Sequence, residues 1–137
     1  MRRYEIVSDS SEQLSDWLKE QVVAFNKSHW PVQRQNLGFR VSNDKGEVVA
    51  GIAGRCFGHW LLIDWLWVNP EHRGQGYANE LFYKLERAAK ELGATKAVLD
   101  TLEFQAPDFY RRHGYEEVFA LADYPLDGRR SYMVKAL

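Results

Sequence analysis

Val68-Asn69-Pro70-Glu71-His72-Arg73-Gly74-Gln75-Gly76-Tyr77-Ala78 decides the fold, because of what stands on either side of it. Upstream, His59–Val68 is almost wholly apolar and rich in aromatic residues, interrupted only by Asp64. Such a run predicts a strand buried on both faces, and hence the middle of a sheet. Downstream, Leu81, Phe82, Leu85, Ala88, Ala89 and Leu92 recur at helical spacing, with Lys84, Arg87 and Lys90 opposite them. Gly93 supplies a C-terminal stop, so the spacing predicts a helix over Gly76–Leu92. Lys96–Thr101 reads as a second buried strand. A strand–helix–strand unit of this size implies a right-handed crossover and a parallel pair.

Outward from this unit the chain fills in on both sides. Tyr4–Val7 reads as a short strand. Ser10 and Gln13 have capping-box spacing before a helix over Glu12–Asn26, whose Leu14, Trp17, Leu18, Val22 and Phe25 share one face. Phe39–Val41 and Glu47–Gly54 form a hairpin around the turn residues Asn43-Asp44-Lys45-Gly46. Gly51, Gly54 and Gly58 loosen its second half and point to a bulge. Ala106–Arg112 reads as a short helix closed by Gly114, and Tyr115–Leu121 and Arg130–Val134 as the last strands.

The linking loop has the chemistry of an anion site. Glycines adopt backbone angles closed to other residues and let a ligand reach the main chain. The first N–H groups of a helix lack internal partners, and the helix dipole favours negative charge there. Together these suit phosphate or pyrophosphate, and Arg73 can add charge-assisted contacts. A plain flexible turn is the simplest alternative, and the regular helix behind the loop argues against it. A dinucleotide unit is a second alternative, since Gly74-x-Gly76 opens a helix and Asp100 ends the next strand. Its third glycine, however, falls at Asn79, the loop from Val68 is long, and little chain follows for a nicotinamide half-site. A nucleoside-triphosphate loop is excluded, because no Gly-Lys-Ser/Thr is present.

Val68-x-Pro70-x-x-Arg73-Gly74-x-Gly76-x-Ala78 resembles the acetyl-CoA signature of the GNAT N-acetyltransferase family, whose core is Arg/Gln-x-x-Gly-x-Gly/Ala. Phe109-Tyr110-Arg111-Arg112-His113-Gly114-Tyr115 resembles the family's tyrosine-bearing helix and the Gly-Tyr/Phe that follows it, at the expected distance. The order of helix, hairpin and central strand is also similar, so the resemblance spans the whole chain. It implies a single N-acetyltransferase domain over residues 1–137. It implies an α/β fold with a mixed, mostly antiparallel sheet of six to seven strands, a splayed central parallel pair, and helices on both faces.

The resemblance further implies that acetyl-CoA is the acyl donor. Main-chain N–H groups of Arg73, Gly74, Gln75, Gly76, Tyr77 and Ala78 would hold its pyrophosphate, and the backbone of Leu66, Trp67 and Val68 its pantetheine arm. Tyr110 matches the tyrosine that protonates the departing thiolate, and a phenol of pKa about 10 can donate to a thiolate of about 8.5. The other reading of Tyr110 is a core aromatic. Where the family often has asparagine, seven positions before that tyrosine, this chain has Glu103. Glu103 is assigned no donor-binding role and is left as a possible acceptor contact. The acceptor is a primary amine, expected on a small molecule. A lysine or N-terminus of a protein, or a CoA-binding sensor without turnover, are the alternatives.

An attacking amine needs a base, and Asp64 is the first candidate. It interrupts the most apolar strand, and period two puts it on one face with Leu66 and Val68, opposite Trp65 and Trp67. Burial there would raise its pKa; a hydrogen bond to a neighbouring backbone is the structural alternative. His59 and Glu103 are weaker candidates. Trp30, Trp60 and Tyr124, with the N-terminal helix and the stretches Ser28–Leu37 and Asp123–Gly128, are expected to border the acceptor.

Composition narrows the remaining classes. At 137 residues the chain fits one domain, able to bury roughly 68% of its unfolded surface without staples. A formal charge of −1 lacks the basic footprint of a nucleic-acid binder. The lone Cys56 has no disulfide partner, and the four histidines lack ligand spacing, so no metal is expected. Met1-Arg2-Arg3 leads straight into mixed sequence, without a signal region, and no apolar run approaches a membrane span of roughly 18 residues. Cytoplasmic location, no membrane and no nucleic-acid partner are the expectations. An exposed edge strand near the C-terminus would permit a homodimer.

Overall fold

The computed structural model describes residues 3–137; the Met1-Arg2 start of the leader argument lies outside them. The chain divides into a first compact unit ending at Gln33 and a second, Arg34–Leu137.

The first unit holds one helix, α1, Glu12–Lys27. Its cap is Ser11 rather than Ser10: the Ser11 hydroxyl accepts from Leu14 N at 3.1 Å, and Asp9 Oδ1 accepts from Ser11 N at 3.0 Å. Leu14 therefore stands where a capping box needs Glu or Gln, and the expected Ser10–Gln13 pairing does not form. Tyr4–Val7 is not a strand.

The second unit is a six-stranded sheet with order β1-β2-β3-β4-β6-β5. Its strands are β1 Gln35–Ser42, β2 Val48–Phe57, β3 Trp60–Val68, β4 Lys96–Leu102, β5 Glu116–Ala122 and β6 Arg129–Ala136. The helices are α2, Tyr77–Glu91, and α3, Pro107–Arg112. Only β3 and β4 run parallel; the other four pairings are antiparallel. The first hairpin turns as its residues require: Asn43 Oδ1 accepts from Lys45 N and Glu47 N, both at 3.0 Å, and Gly46 takes φ +80°. Leu81, Phe82, Leu85 and Ala89 of α2 are buried with Ile52, Leu61, Ile63, Ala97, Leu99, Tyr115 and Met133 in one core. The expected stripe thus holds at these four positions, whereas Ala88 is half-buried and Leu92 exposed.

Two departures shape the rest of the molecule. First, β3 pairs with β4 over only three positions, Trp60↔Lys96 to Leu62↔Val98, and beyond Leu62 the parallel strands part. The second half of β3 is therefore not buried on both faces as its composition predicts; Trp65 is 77% and Trp67 49% exposed. Second, β3 carries a bulge. Gly54 faces Ile63 while Ala53 faces Trp65, so Asp64 has no register partner on β2. A Cβ at Gly54 would lie 2.6 Å from Leu62 O, so only glycine admits this approach. The bulge slips the alternation by one residue. Leu66 and Val68 pair with Ile52 and Ala50 on the core side, whereas Asp64 turns to Arg55 on the other. The period-two placement of Asp64 with Leu66 and Val68 is corrected accordingly.

β5 is an edge strand with its own bulge at Val118, since Glu117 faces Met133 and Phe119 faces Tyr132. No helix of the described residues is long and apolar enough to cross a membrane.

Candidate active site

The parting of β3 and β4 opens a cleft of ≈ 1080 Å³. One wall is β3 from Ile63 to Val68, which has no β4 neighbour along that stretch. The opposite wall is built from Asp100 and Leu102 of β4 and from α3. The loop after β3 closes one end, and Tyr124 and Arg130 border another part. Backbone groups on the free edge of β3 need partners, so this wall can accept an extended chain as an added strand.

The loop forms from three local causes. Asn69 Oδ1 accepts from Glu71 N at 2.9 Å, and Pro70 at the first position then suits the single 3₁₀ turn, Pro70–His72. Arg73 Nε donates to Val68 O at 3.1 Å, folding the guanidinium back along the loop. Gly74 and Gly76 take φ +77° and +86°, and a Cβ at either would meet nothing within 4 Å. What these positions require is therefore the left-handed backbone rather than space. Gly76 caps α2 without a side-chain hydrogen bond, so the first N–H groups of the helix are left for a ligand. His72 also lines the cleft, and its Nδ1 is buried without a partner.

Tyr110 lies on α3 and lines the same cleft. Its ring packs against Phe82 at 5.8 Å and Phe109 at 5.4 Å. Burial pushes its phenol above the ordinary tyrosine value, and a hydrogen bond with the buried Thr101 pulls part of the way back. The phenol thus holds its proton more tightly than an ordinary tyrosine does.

Asp64 lines the cleft but is not buried. Arg55 clamps it through Nε to Oδ2 and Nη2 to Oδ1, both 3.1 Å, with side chains 38% and 30% exposed. The expectation of a desolvated carboxylate is corrected: the bulge turns Asp64 away from the core face.

Glu103 does not line the cleft. Its carboxylate accepts from Arg129 N at 2.9 Å and sits beside Gly128, and the backbone hydrogen bond holds its pKa below the usual value. It anchors the β5–β6 loop. His59 precedes β3 and likewise lies outside the lining, as does Trp60, whose ring carries Lys96 Nζ at 5.5 Å. Trp30 belongs to the first unit.

Three groups escaped the sequence reading. Phe104 lines the cleft at 75% exposure, in a loop with no pattern to mark it. Arg130 donates to Asp100 Oδ2 at 2.9 Å, across to a strand distant in sequence, and to the Tyr124 hydroxyl at 3.1 Å. Asn79 and His113 lie 2.7 Å apart, Oδ1 to Nε2. The misfit of Asn79 to a dinucleotide fingerprint was its only signal. Among the described residues no group of three or more His, Cys, Asp or Glu side chains converges.

Comparison with known proteins adds to this geometry. A model of the acetyltransferase (GNAT) family matches residues 3–115. A blasticidin-S acetyltransferase of Streptomyces morookaense is 37% identical over 95 residues, 69% of this chain and 70% of that one. An acetyltransferase of Agrobacterium fabrum is 29% identical over 115 residues, 83% of this chain and 82% of that one. The crystal structure of an acetyltransferase from Bacillus cereus superposes with a TM-score of 0.83 at 29% identity, covering 97% of this chain and 98% of that one.

Proposed function

The chain belongs to the acetyltransferase (GNAT) family, and on that premise we propose that it moves an acetyl group from acetyl-CoA to a primary amine of a small molecule. The observation that carries this reading is the cleft between β3 and β4, with an uncapped helix N-terminus at one end and Tyr110 on its far wall. The family match runs from the first unit into the second, which supports a single acetyltransferase domain over residues 1–137.

N–H groups of Arg73 to Ala78 would hold the donor's pyrophosphate, with the cleft residues Arg73 and Arg112 supplying charge. The free edge of Leu66, Trp67 and Val68 would pair with the pantetheine arm. The amine attacks the thioester carbonyl, the C–N bond forms and the C–S bond breaks. Tyr110 gives its proton to the departing sulfur, and the amine loses one through water. A lysine-like amine is neutral only about one part in 2,500 at pH 7, a cost of about 4.6 kcal/mol. Asp64, exposed and ionically paired, would draw the ammonium form toward the splay and pass its proton to solvent.

A small-molecule acceptor is favoured by the likeness to the blasticidin-S enzyme and by the aromatic border of Trp65, Phe104 and Tyr124. Calorimetric titration with acetyl-CoA, with NADH and ATP as controls, tests the donor. Saturable binding of acetyl-CoA alone is the expected result; its absence overturns the proposal, and a response to NADH restores the dinucleotide reading. Thiol release in a screen of blasticidin S, aminoglycosides, polyamines and lysine peptides tests the acceptor. Turnover confined to peptides would replace the small-molecule reading, and donor binding with no turnover would mark a sensor.

A further inference from the structure

α3 carries Tyr110, and α2 begins at the loop proposed to hold the donor's phosphates. These two helices are joined by one polar contact between side chains. His113, the C-cap of α3, places Nε2 2.7 Å from Oδ1 of Asn79 in the first turn of α2. The imidazole is held in register by rings on both elements. It stacks on Phe82 at 5.4 Å and 30°, and packs against Phe109 at 4.6 Å. Phe82 also touches Tyr110 at 5.8 Å. Asn79 lines the cleft and His113 does not, so His113 can reach bound molecules only through its neighbours.

We infer that His113 is a positioning residue: by donating from Nε2 to Asn79 it ties the helix bearing Tyr110 to the first turn of α2, so that the donor-binding end and the proton-donating end of the cleft are set together. The inference rests on the proposed roles of that first turn and of Tyr110. Three charged groups face the ring: Glu86 on α2, Lys135 on β6 and Arg112 on α3. Burial lowers the imidazole pKa, and Lys135 and Arg112 push the same way against Glu86. The ring is therefore neutral at pH 7 with a single N–H, and an amide oxygen at 2.7 Å requires that hydrogen on Nε2. A leucine or phenylalanine could fill the same stack but could not make the link.

The test is a cycle of His113→Phe, Asn79→Ala and the double variant. Kd for acetyl-CoA is read by titration, and kcat as thiol release with blasticidin S, or with water where that amine is not used. His113→Phe keeps a ring in the stack, and His113→Gln restores a donor. Each single loss is expected to raise Kd and lower kcat by roughly two- to tenfold, the effect of one neutral hydrogen bond. The double variant should be no worse than the worse single, and His113→Gln should recover part of the loss. In a Tyr110→Phe background, His113→Phe should still raise Kd but no longer lower kcat. Single effects that multiply in the double variant, or that appear only in thermal stability, overturn the inference while leaving the donor reading intact. Failure of the wild-type protein to bind acetyl-CoA removes both.

Discussion

Arg55 clamps Asp64 with two hydrogen bonds of 3.1 Å at the one point where β3 falls out of step with β2. The pair marks where the sheet opens: Leu62 is the last residue of β3 joined to β4, and Asp64 is the second residue beyond it. Bulge, ion pair and cleft are thus consequences of one local slip in register.

Gly54 is what permits that slip. Replacing it with alanine puts a Cβ 2.6 Å from the Leu62 carbonyl, where the obstacle is backbone rather than a flexible side chain. Gly54→Ala should cost about 1–3 kcal/mol of stability, typical of overpacking, and should weaken acetyl-CoA binding. Urea denaturation and titration check this; an unchanged midpoint would mean the bulge tolerates a side chain.

Asp64→Asn separates chemistry from architecture. The ion pair is partly exposed, so its loss should change stability by about 1 kcal/mol or less. Activity toward a cationic acceptor should fall about tenfold, and most at low pH, where the amine is most protonated. A pH–rate profile that keeps its shape in the variant would remove Asp64 from proton handling.

Most of the fold was legible because its signals are local. The stripe of α2, the turn chemistry of Asn43–Gly46 and the glycines flanking Gln75 each act within a few residues, and each is found where the pattern put it. Errors arose where partners decide. Tyr4–Val7 has strand-like composition but forms no strand. The aromatics of β3 suggest burial, yet the departure of β4 leaves Trp65 exposed. In the site, the motif spacing singled out the loop and Tyr110, and both line the cleft. Asp64 was placed on the wrong face because period two cannot foresee a bulge. Arg130 and His113 meet their partners across 30 and 34 residues, a relation no local pattern contains.

Tyr115 is expected to set the alkaline limit of stability. Its buried hydroxyl donates to Glu86 Oε2 at 2.7 Å, and Lys135 Nζ donates to Oε1 at 3.0 Å. Burial first, then the hydrogen bond to Glu86 and its charge, push the phenol far above its ordinary value. A tyrosine in the unfolded chain ionises near pH 10, whereas the folded one keeps its proton. Above that pH the unfolded state therefore releases a proton that the folded state holds, and stability falls as pH rises. Thermal unfolding from pH 8 to 11 should show this decline. Tyr115→Phe should flatten it while costing about 1.5–3 kcal/mol at neutral pH for the lost bond to a charged group; an equal slope in the variant would assign the limit elsewhere.

Tyr110 should reveal itself through rate. To protonate the departing sulfur the phenol must still carry its hydrogen, and burial raises its pKa, keeping it loaded to higher pH than an ordinary tyrosine. The acceptor amine, by contrast, becomes reactive as pH approaches about 10.4. Their combination predicts a wild-type kcat/KM that climbs with pH and turns down only above the ordinary tyrosine range. Tyr110→Phe should lower kcat by about 10²–10⁴, the usual worth of a general acid, with acetyl-CoA affinity kept because the ring still packs on Phe82. The residual activity should lack the alkaline downturn. Profiles from pH 6 to 10.5, read alongside titration, decide it. A loss below about threefold would show that the sulfur leaves unaided or takes its proton from water.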